Sequence, residues 1–162
     1  MDIDISTLPT PSYLVDQRLL IKNLELLASV KERTGCKILL AQKAFSMFSV
    51  YPLIAKYLDG VTSSGVMEAR LGYEEMGKEV HTYAPAFADH EMDDVIRYSD
   101  HIVFNSFHQW NKFKDKVNSS GKQIECGLRL NPKYSEIDTD IYNPCFTGYR
   151  LGITTEQFQP DK

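Results

Sequence analysis

Five short apolar runs, separated by segments with helical periodicity, most constrain how this 162-residue chain can fold. Apolar runs of about four to eight residues bounded by turn signals are typical of buried parallel strands. The runs start roughly twenty residues apart, close to the spacing of βαβ units. They cover Lys37–Lys43, Gly60–Ser64, Glu79–Ala84, His101–Asn105 and Ile124–Leu130.

The segments around these runs carry helix signals. Polar residues stand where most of the helices would begin, and glycines stand where most of them would end. Strands that alternate with helices predict a parallel α/β sheet, either doubly wound or closed into a barrel. The predicted helices lie between Asp16 and Gly35, Met47 and Gly60, Ser64 and Gly77, Asp89 and Ile96, and Ser106 and Gly121.

Two features favour the barrel over the doubly wound sheet. No strand is followed by a GxGxxG or GxxxxGK[ST] loop, so the usual nucleotide-binding signature of doubly wound sheets is missing. Barrel enzymes place their chemistry at the C-terminal ends of the strands, and polar side chains stand there in this sequence. These are Lys43, Ser63, Ser64, His81, Tyr83, Asn105, Arg129 and Asn131.

The segment 131–150 has no clear period and contains two prolines. Long irregular loops inside compact domains are usually functional, so we expect this one to cover the catalytic face. Residues Gly152–Phe158 then predict the start of another helix.

The predicted strands are too few for a complete barrel. A (β/α)8 barrel needs eight strands and typically ~250 residues. We therefore interpret residues 1–162 as one partial TIM-like barrel domain, the N-terminal five βα units of the fold. The alternative is a complete small domain with an open sheet.

Composition excludes some partners. The net charge of −4 gives no electrostatic reason to expect nucleic acid or an anionic membrane. No apolar run approaches the ~20 residues that a membrane span requires. Cys36, Cys126 and Cys145 form neither a disulfide framework nor a CxxC metal motif, which predicts a reducing, cytoplasmic location.

Lys43 and Arg129 are the main candidates for chemistry. Lys43 ends an apolar strand, where partial burial would make its amine a nucleophile, although most lysines at strand ends reach into solvent. Arg129 also ends a strand, where it predicts an anionic partner such as a cofactor oxygen. The alternative for Arg129 is a structural ion pair with Glu68 or Glu125.

The serines and histidines give weaker signals. Ser63 and Ser64 follow a strand and precede a helix, so they can bind a ligand or simply cap the helix. The histidines lack HxxxH or HxH spacing, which predicts packing or surface roles and no metal site. They are His81, His90, His101 and His108.

The order of several motifs resembles a known family. Residues 10–16 (Thr-Pro-Ser-Tyr-Leu-Val-Asp), the leucine-rich helix and residues 41–44 (Ala-Gln-Lys-Ala) resemble the opening of fold-type III pyridoxal-phosphate enzymes. Residues 62–70 resemble the second barrel strand and its helix. The stretch 127–145 (Gly-Leu-Arg-Leu-Asn-Pro, ending Asn-Pro-Cys), with Arg-Leu-Gly-Ile at 150–153, is similar to carboxynorspermidine/carboxyspermidine decarboxylases.

The resemblance implies a cofactor, pyridoxal 5'-phosphate, and roles for four residues. Lys43 would hold the cofactor covalently, and Arg129 would lie near its ring on the barrel floor. Glu68 would fix the local polar network, and Ser64 would lie in the cofactor site. Gly65 stands where relatives often have a serine.

The resemblance also implies a function. This is decarboxylation of a carboxylated polyamine to norspermidine or spermidine by a homodimer. Apart from the resemblance, the acidic residues of the segment Glu136–Asp140, including Asp138 and Asp140, either attract the cationic part of the substrate or form a solvated loop. We expect the 162-residue chain alone to be inactive. Alternatives are a diaminopimelate or ornithine decarboxylase, a non-catalytic cofactor-binding protein, and a small interaction domain without a cofactor.

Overall fold

A computed structural model describes residues 4–146 and 148–158. In this part of the chain the strands form one parallel sheet in which each strand pairs with the next in sequence. A doubly wound sheet reverses its strand order partway, whereas a barrel wall does not. The predicted barrel wall is therefore confirmed. Its strands are β1 (Leu39–Ala41), β2 (Gly60–Ser63), β3 (Glu79–Tyr83), β4 (His101–Phe104) and β5 (Glu125–Leu128).

Helices follow the strands as the sequence predicts, with α1 preceding β1. They are α1 (Gln17–Thr34), α2 (Tyr51–Ile54), α3 (Val66–Leu71), α4 (Met92–Tyr98) and α5 (Phe107–Ser119). A π-helical turn, Gly72–Met76, continues α3. No helix in the described residues is long and apolar enough to cross a membrane.

Two helices have the predicted caps. The Asp16 carboxylate accepts a hydrogen bond from the Arg18 backbone N–H at the start of α1, and Gly35 ends α1 with a φ of 70°. The Ser106 hydroxyl accepts from the Gln109 N–H at the start of α5. Each side chain satisfies an N–H that has no partner within the helix.

Other helix boundaries differ from the prediction. The segment expected to be helical from Met47 to Gly60 forms a 3-10 turn, Phe48–Val50, and then only the short α2. Pro52 lacks an N–H and is tolerated only in a first helical turn, so α2 cannot begin much earlier than Tyr51. Residues Gly152–Phe158 form only the 3-10 turn Thr155–Gln157.

The predicted caps of α3 and α4 are wrong. Gly65, not Ser64, precedes α3, and the Ser64 hydroxyl does not cap the helix; the Glu68 carboxylate in the first turn accepts a hydrogen bond from the Ser64 N–H. Helix α4 begins after Glu91 rather than at Asp89. The Glu91 carboxylate accepts from the Ala88 N–H, so the turn before α4 is closed by that side chain.

The core lies between the sheet and the helices. Alternate strand residues such as Val80, Ile102 and Phe104 are fully buried on this face, whereas their neighbours on the other face are only half-buried. Fully burying such a side chain contributes about 1.5–3 kcal/mol. The other face of the sheet is the inner face, which a closed barrel would enclose.

The N-terminal edge of the sheet is fastened by two aspartates. The Asp59 carboxylate, before β2, accepts from the Ile38 N–H at 2.8 Å. The Asp100 carboxylate, before β4, accepts from the Val80 N–H at 2.9 Å. A lysine Nζ contacts each: Lys31 at 2.7 Å from Asp59 and Lys122 at 3.6 Å from Asp100. Backbone donors and cationic groups are thus satisfied along this edge.

Candidate active site

The C-terminal edge of the sheet gathers most of the predicted site residues. Because the strands are parallel, the residue that follows each strand lies at the same edge. Lys43, Ser64, Asn105 and Arg129 lie there, just beyond the ends of β1, β2, β4 and β5.

Ser63 and His81, which the sequence also assigns to this edge, lie elsewhere. Ser63 is buried toward the helices, where its hydroxyl accepts a hydrogen bond from Gln42. His81 lies in the middle of β3 on the inner face. Side chains alternate between the two faces of a strand, which turns Ser63 toward the helices and away from the inner face. His81 lies on the inner face, but in the middle of β3 and not at its end.

The Lys43 side chain is exposed in the described residues, and its partial burial in a closed barrel stays a prediction. Strand β1 is an edge strand that pairs only with β2 in the described residues, which leaves one side of Lys43 open to solvent. Among residues 4–146 and 148–158, no side chain or carbonyl pairs with its amine. Lys43 therefore offers an accessible, unpaired amine at the end of the first strand.

A buried amide network lies behind Lys43. The Gln42 Nε2 donates to the Ser63 Oγ at 2.9 Å and to the Glu68 carbonyl at 2.8 Å. The Tyr51 hydroxyl donates to the Gln42 Oε1 at 3.2 Å, and burial raises the pKa of Tyr51. Gln42 is fully buried, and these bonds hold the backbone from which the Lys43 side chain extends. In the sequence, the one sign of this network is the amide side chain of Gln42 within an apolar run.

Glu68 and Ser64 are joined at the end of β2. The Glu68 Oε2 accepts from the Ser64 N–H at 2.7 Å, which fixes the turn between β2 and α3. The Ser64 side chain is exposed at the same edge as Lys43. This geometry is compatible with the roles expected of both residues, which stay predictions.

Arg129 stacks on Tyr83 at the other side of this edge. Its guanidinium carbon lies 4.8 Å from the centre of the Tyr83 ring, a cation–π arrangement. The alternative of an ion pair with Glu68 or Glu125 is wrong within the described residues. Glu68 bonds Ser64, and the Glu125 carboxylate lies 3.2 Å from His101 Nδ1. The half-buried guanidinium therefore keeps donors available for another acceptor.

Asn105 connects Arg129's neighbour Tyr83 to the long loop. The Asn105 Oδ1 accepts from the Tyr83 hydroxyl and from the Gly152 N–H, both at 2.7 Å. Its Nδ2 donates to the Arg150 carbonyl at 2.8 Å. Sequence analysis placed Asn105 at this edge but found no role for it, because the bond to Gly152 spans 47 residues.

The loop 131–150 lies at this edge, as predicted, and its described residues include the 3-10 turn Asp140–Tyr142. It returns to the sheet at Ile153, whose N–H donates to the Arg129 carbonyl at 2.8 Å. Asp138 and Asp140 are exposed on the loop. Their expected attraction for a cationic substrate stays a prediction.

His81 and His101 are brought together, which the spacing of histidines in the sequence did not predict. They occupy paired positions of β3 and β4 on the inner face, and their rings stack at 3.8 Å between centres. Strand register decides this contact, and register cannot be read from HxxxH spacing. Glu79 lies beside them, and this group is considered separately below.

Comparison with known proteins was made by family, sequence and structure. No protein-family model matches the chain. It is 43% identical over 143 residues to the carboxynorspermidine/carboxyspermidine decarboxylase of Herminiimonas arsenicoxydans, covering 88% of this chain and 38% of that protein. It is 38% identical over 149 residues to the carboxyaminopropylagmatine decarboxylase of Synechocystis sp., covering 92% of this chain and 38% of that protein.

A crystal structure of carboxynorspermidine decarboxylase from Campylobacter jejuni, complexed with norspermidine, is similar with a TM-score of 0.81 and 39% identity. The similarity covers 96% of this chain and 38% of that one. The resemblance to carboxynorspermidine/carboxyspermidine decarboxylases is confirmed. The five-stranded α/β fold matches the N-terminal part of the decarboxylase barrel. This chain spans about 38% of the length of the relatives it matches.

Proposed function

We propose that this chain contributes the lysine-bearing part of a pyridoxal-phosphate-dependent decarboxylase of carboxylated polyamines. One observation carries the proposal: the unpaired Lys43 amine stands at the C-terminal end of β1, in a chain similar to named decarboxylases over nearly its whole length. Bound pyridoxal phosphate supplies an electron sink for the electrons left behind when CO2 departs.

The residues at the C-terminal edge have the donor chemistry that this cofactor requires. Lys43 supplies an accessible primary amine for covalent attachment, on a backbone held by the Gln42 network. Arg129 supplies guanidinium N–H donors beside the Tyr83 ring, where they could meet an acceptor of the cofactor. Glu68 holds the Ser64 backbone, and the Ser64 hydroxyl adds a further exposed hydrogen-bonding group.

The attachment is tested by reductive trapping. The full-length gene product is mixed with pyridoxal 5'-phosphate, reduced with borohydride, digested and mapped by mass spectrometry. We expect the phosphopyridoxyl group on Lys43. Because exposed lysines react slowly with the cofactor, the Lys43→Arg variant is treated in parallel and its labelling defines the background. Equal labelling of both proteins would overturn the proposal.

The substrate is proposed to be carboxynorspermidine or carboxyspermidine, as in the relative from Herminiimonas arsenicoxydans. Carboxyaminopropylagmatine is the second candidate, because a relative at 38% identity is named for it. CO2 release from each compound, and from diaminopimelate and ornithine, separates these specificities. Labelling of Lys43 without release from any of them would favour the non-catalytic, cofactor-binding alternative.

The exposed acids of the long loop are proposed to attract the cationic part of the substrate. Asp138→Asn with Asp140→Asn in the full-length gene product should raise KM while kcat changes little, because removing uniform binding acts on KM. An unchanged KM would remove this role. We further propose that the protein is a cytoplasmic homodimer, as the resemblance implies. Light scattering on the purified protein tests the oligomeric state.

A further inference from the structure

The inner face of the sheet carries a second group of ionisable side chains, away from the Lys43 edge. Glu79 and His81 lie two residues apart on β3, and therefore on the same face. His101 is the register partner of His81 on β4. The three side chains are half-buried on this face, with 23–32% of each exposed in the described residues.

The donor atoms of this group converge. The Glu79 Oε2 lies 3.1 Å from the His81 Nε2 and 3.8 Å from the His101 Nε2. One ligand atom from each residue lies within 4.8 Å of the other two. A zinc ion about 2.0–2.2 Å from each donor needs donor atoms roughly 3–4 Å apart. The two imidazoles stack with an interplanar angle of 14°, so they must rotate out of the stack before their lone pairs can meet at one ion.

Two neighbouring charged side chains, Glu125 and Lys37, contact residues of this group. The Glu125 Oε2 lies 3.2 Å from the His101 Nδ1. A proton held on Nδ1 by that carboxylate leaves the lone pair of Nε2 directed toward Glu79, the arrangement common among metal-binding histidines. Lys37 bonds the other Glu79 oxygen, Oε1, so Oε2 faces the two imidazoles, and a bound ion would replace its hydrogen bond with the His81 Nε2. The hydrogen bond from Lys37, followed by that from His81, lowers the pKa of the Glu79 carboxyl.

We propose that Glu79, His81 and His101 form a binding site for a divalent transition metal, represented by Zn²⁺. Two imidazoles and one carboxylate suit Zn²⁺ and Co²⁺, whereas Mg²⁺ and Ca²⁺ prefer all-oxygen sites. Three protein ligands leave a coordination position open for water or another ligand. The proposal is independent of the proposed cofactor chemistry, since none of these residues lies at the Lys43 edge.

The test is metal titration of the full-length gene product carrying Lys43→Met, so that the cofactor plays no part. Zn²⁺ is titrated in competition with a chromophoric chelator, and Co²⁺ is followed by its visible absorption. We expect one ion bound per chain, with no displacement by excess Mg²⁺. His81→Gln and His101→Gln should each weaken binding at least about tenfold, the lower limit found for supporting residues alone.

Matched controls separate this site from ordinary surface histidines. His90→Gln and His108→Gln remove exposed imidazoles elsewhere and should leave the affinity unchanged. Glu125→Gln should weaken binding by roughly 10–100-fold through His101. Circular dichroism verifies that each variant is folded. Folded wild-type protein without a bound ion, or His81→Gln and His101→Gln variants that bind like wild type, would overturn the proposal.

Discussion

The charged groups at the two edges of the sheet differ in whether they have partners. At the N-terminal edge, Asp59 and Asp100 each accept a backbone N–H from the preceding strand and contact a lysine. At the C-terminal edge, Lys43 and Arg129 form no ion pair with any described residue. The same parallel strands thus end in satisfied charges on one side and available cations on the other.

This difference follows the division of labour in barrel enzymes, where one face carries stability and the other carries chemistry. A paired carboxylate that also accepts a buried N–H holds two strands together. An unpaired amine or guanidinium adds little to the fold but can meet a ligand. Changes at the two edges should therefore separate stability from cofactor attachment.

The largest effect is expected from Lys43→Met. It should abolish borohydride-dependent cofactor attachment, because no other amine occupies this position. The free energy of unfolding should change by no more than about 0.5 kcal/mol, since the side chain is exposed and unpaired. Peptide mapping and urea denaturation measure the two quantities. The control is Lys56→Met, which removes another exposed lysine and should keep the attachment. A large loss of stability in Lys43→Met would break the contrast between the edges.

The opposite result is expected at the N-terminal edge. Asp100→Ala leaves the Val80 N–H without its acceptor, in a strand residue that is fully buried. Such a loss costs about 1–3 kcal/mol, which urea denaturation measures. Asp93→Ala is the matched control, because the ion pair of Asp93 with Lys116 is exposed and its loss should cost about 0–1 kcal/mol. Equal costs for the two variants would contradict the special role of Asp100.

Acid should weaken the N-terminal edge through Asp59. Burial alone would raise the pKa of this carboxyl, but hydrogen bonds from Lys31 and the Ile38 N–H outweigh it and the pKa is lowered. A carboxyl with a lowered folded pKa stabilises the fold above its unfolded pKa, about 3.9, and loses this contribution as pH falls through the folded value. The stability difference between wild type and Asp59→Asn should therefore shrink between pH 6 and about pH 3. A constant difference would mean that the charge of Asp59 is unimportant.

The comparison also explains what the sequence could and could not predict. Strand positions and the caps at Asp16 and Ser106 follow local rules, and they were predicted correctly. The length of α2 was overestimated, because apolar periodicity does not show where Pro52 and the turn into β2 stop a helix. The exposure of Lys43 depends on β1 being the edge strand of the described five-stranded sheet, which no local motif shows.

Contacts between distant segments were the least predictable part of the site. Parallel pairing joins residues about twenty positions apart, so no short motif reveals the stacking of His81 on His101. One local signal was available: Glu79 and His81 alternate along one strand and therefore share a face. Asn105 likewise belongs to no recognisable motif. It bonds Gly152 and Arg150 because the long loop returns to the sheet there.

The smallest effect is expected from loss of the hydrogen bonds between Asn105 and the end of the long loop. Asn105→Ala removes the acceptor for the Tyr83 hydroxyl and the Gly152 N–H and the donor to the Arg150 carbonyl. Because Asn105 is only partly buried, water replaces some of these bonds and global stability should fall by about 1 kcal/mol. Local opening should make the loop 131–150 more sensitive to limited proteolysis, followed by mass spectrometry. Asn105→Asp keeps the acceptor oxygens and should be cleaved more slowly than Asn105→Ala. If both variants are cleaved like wild type, Asn105 does not hold the loop, and the backbone hydrogen bonds of Ile153 with Arg129 and Asn131 are sufficient to hold it.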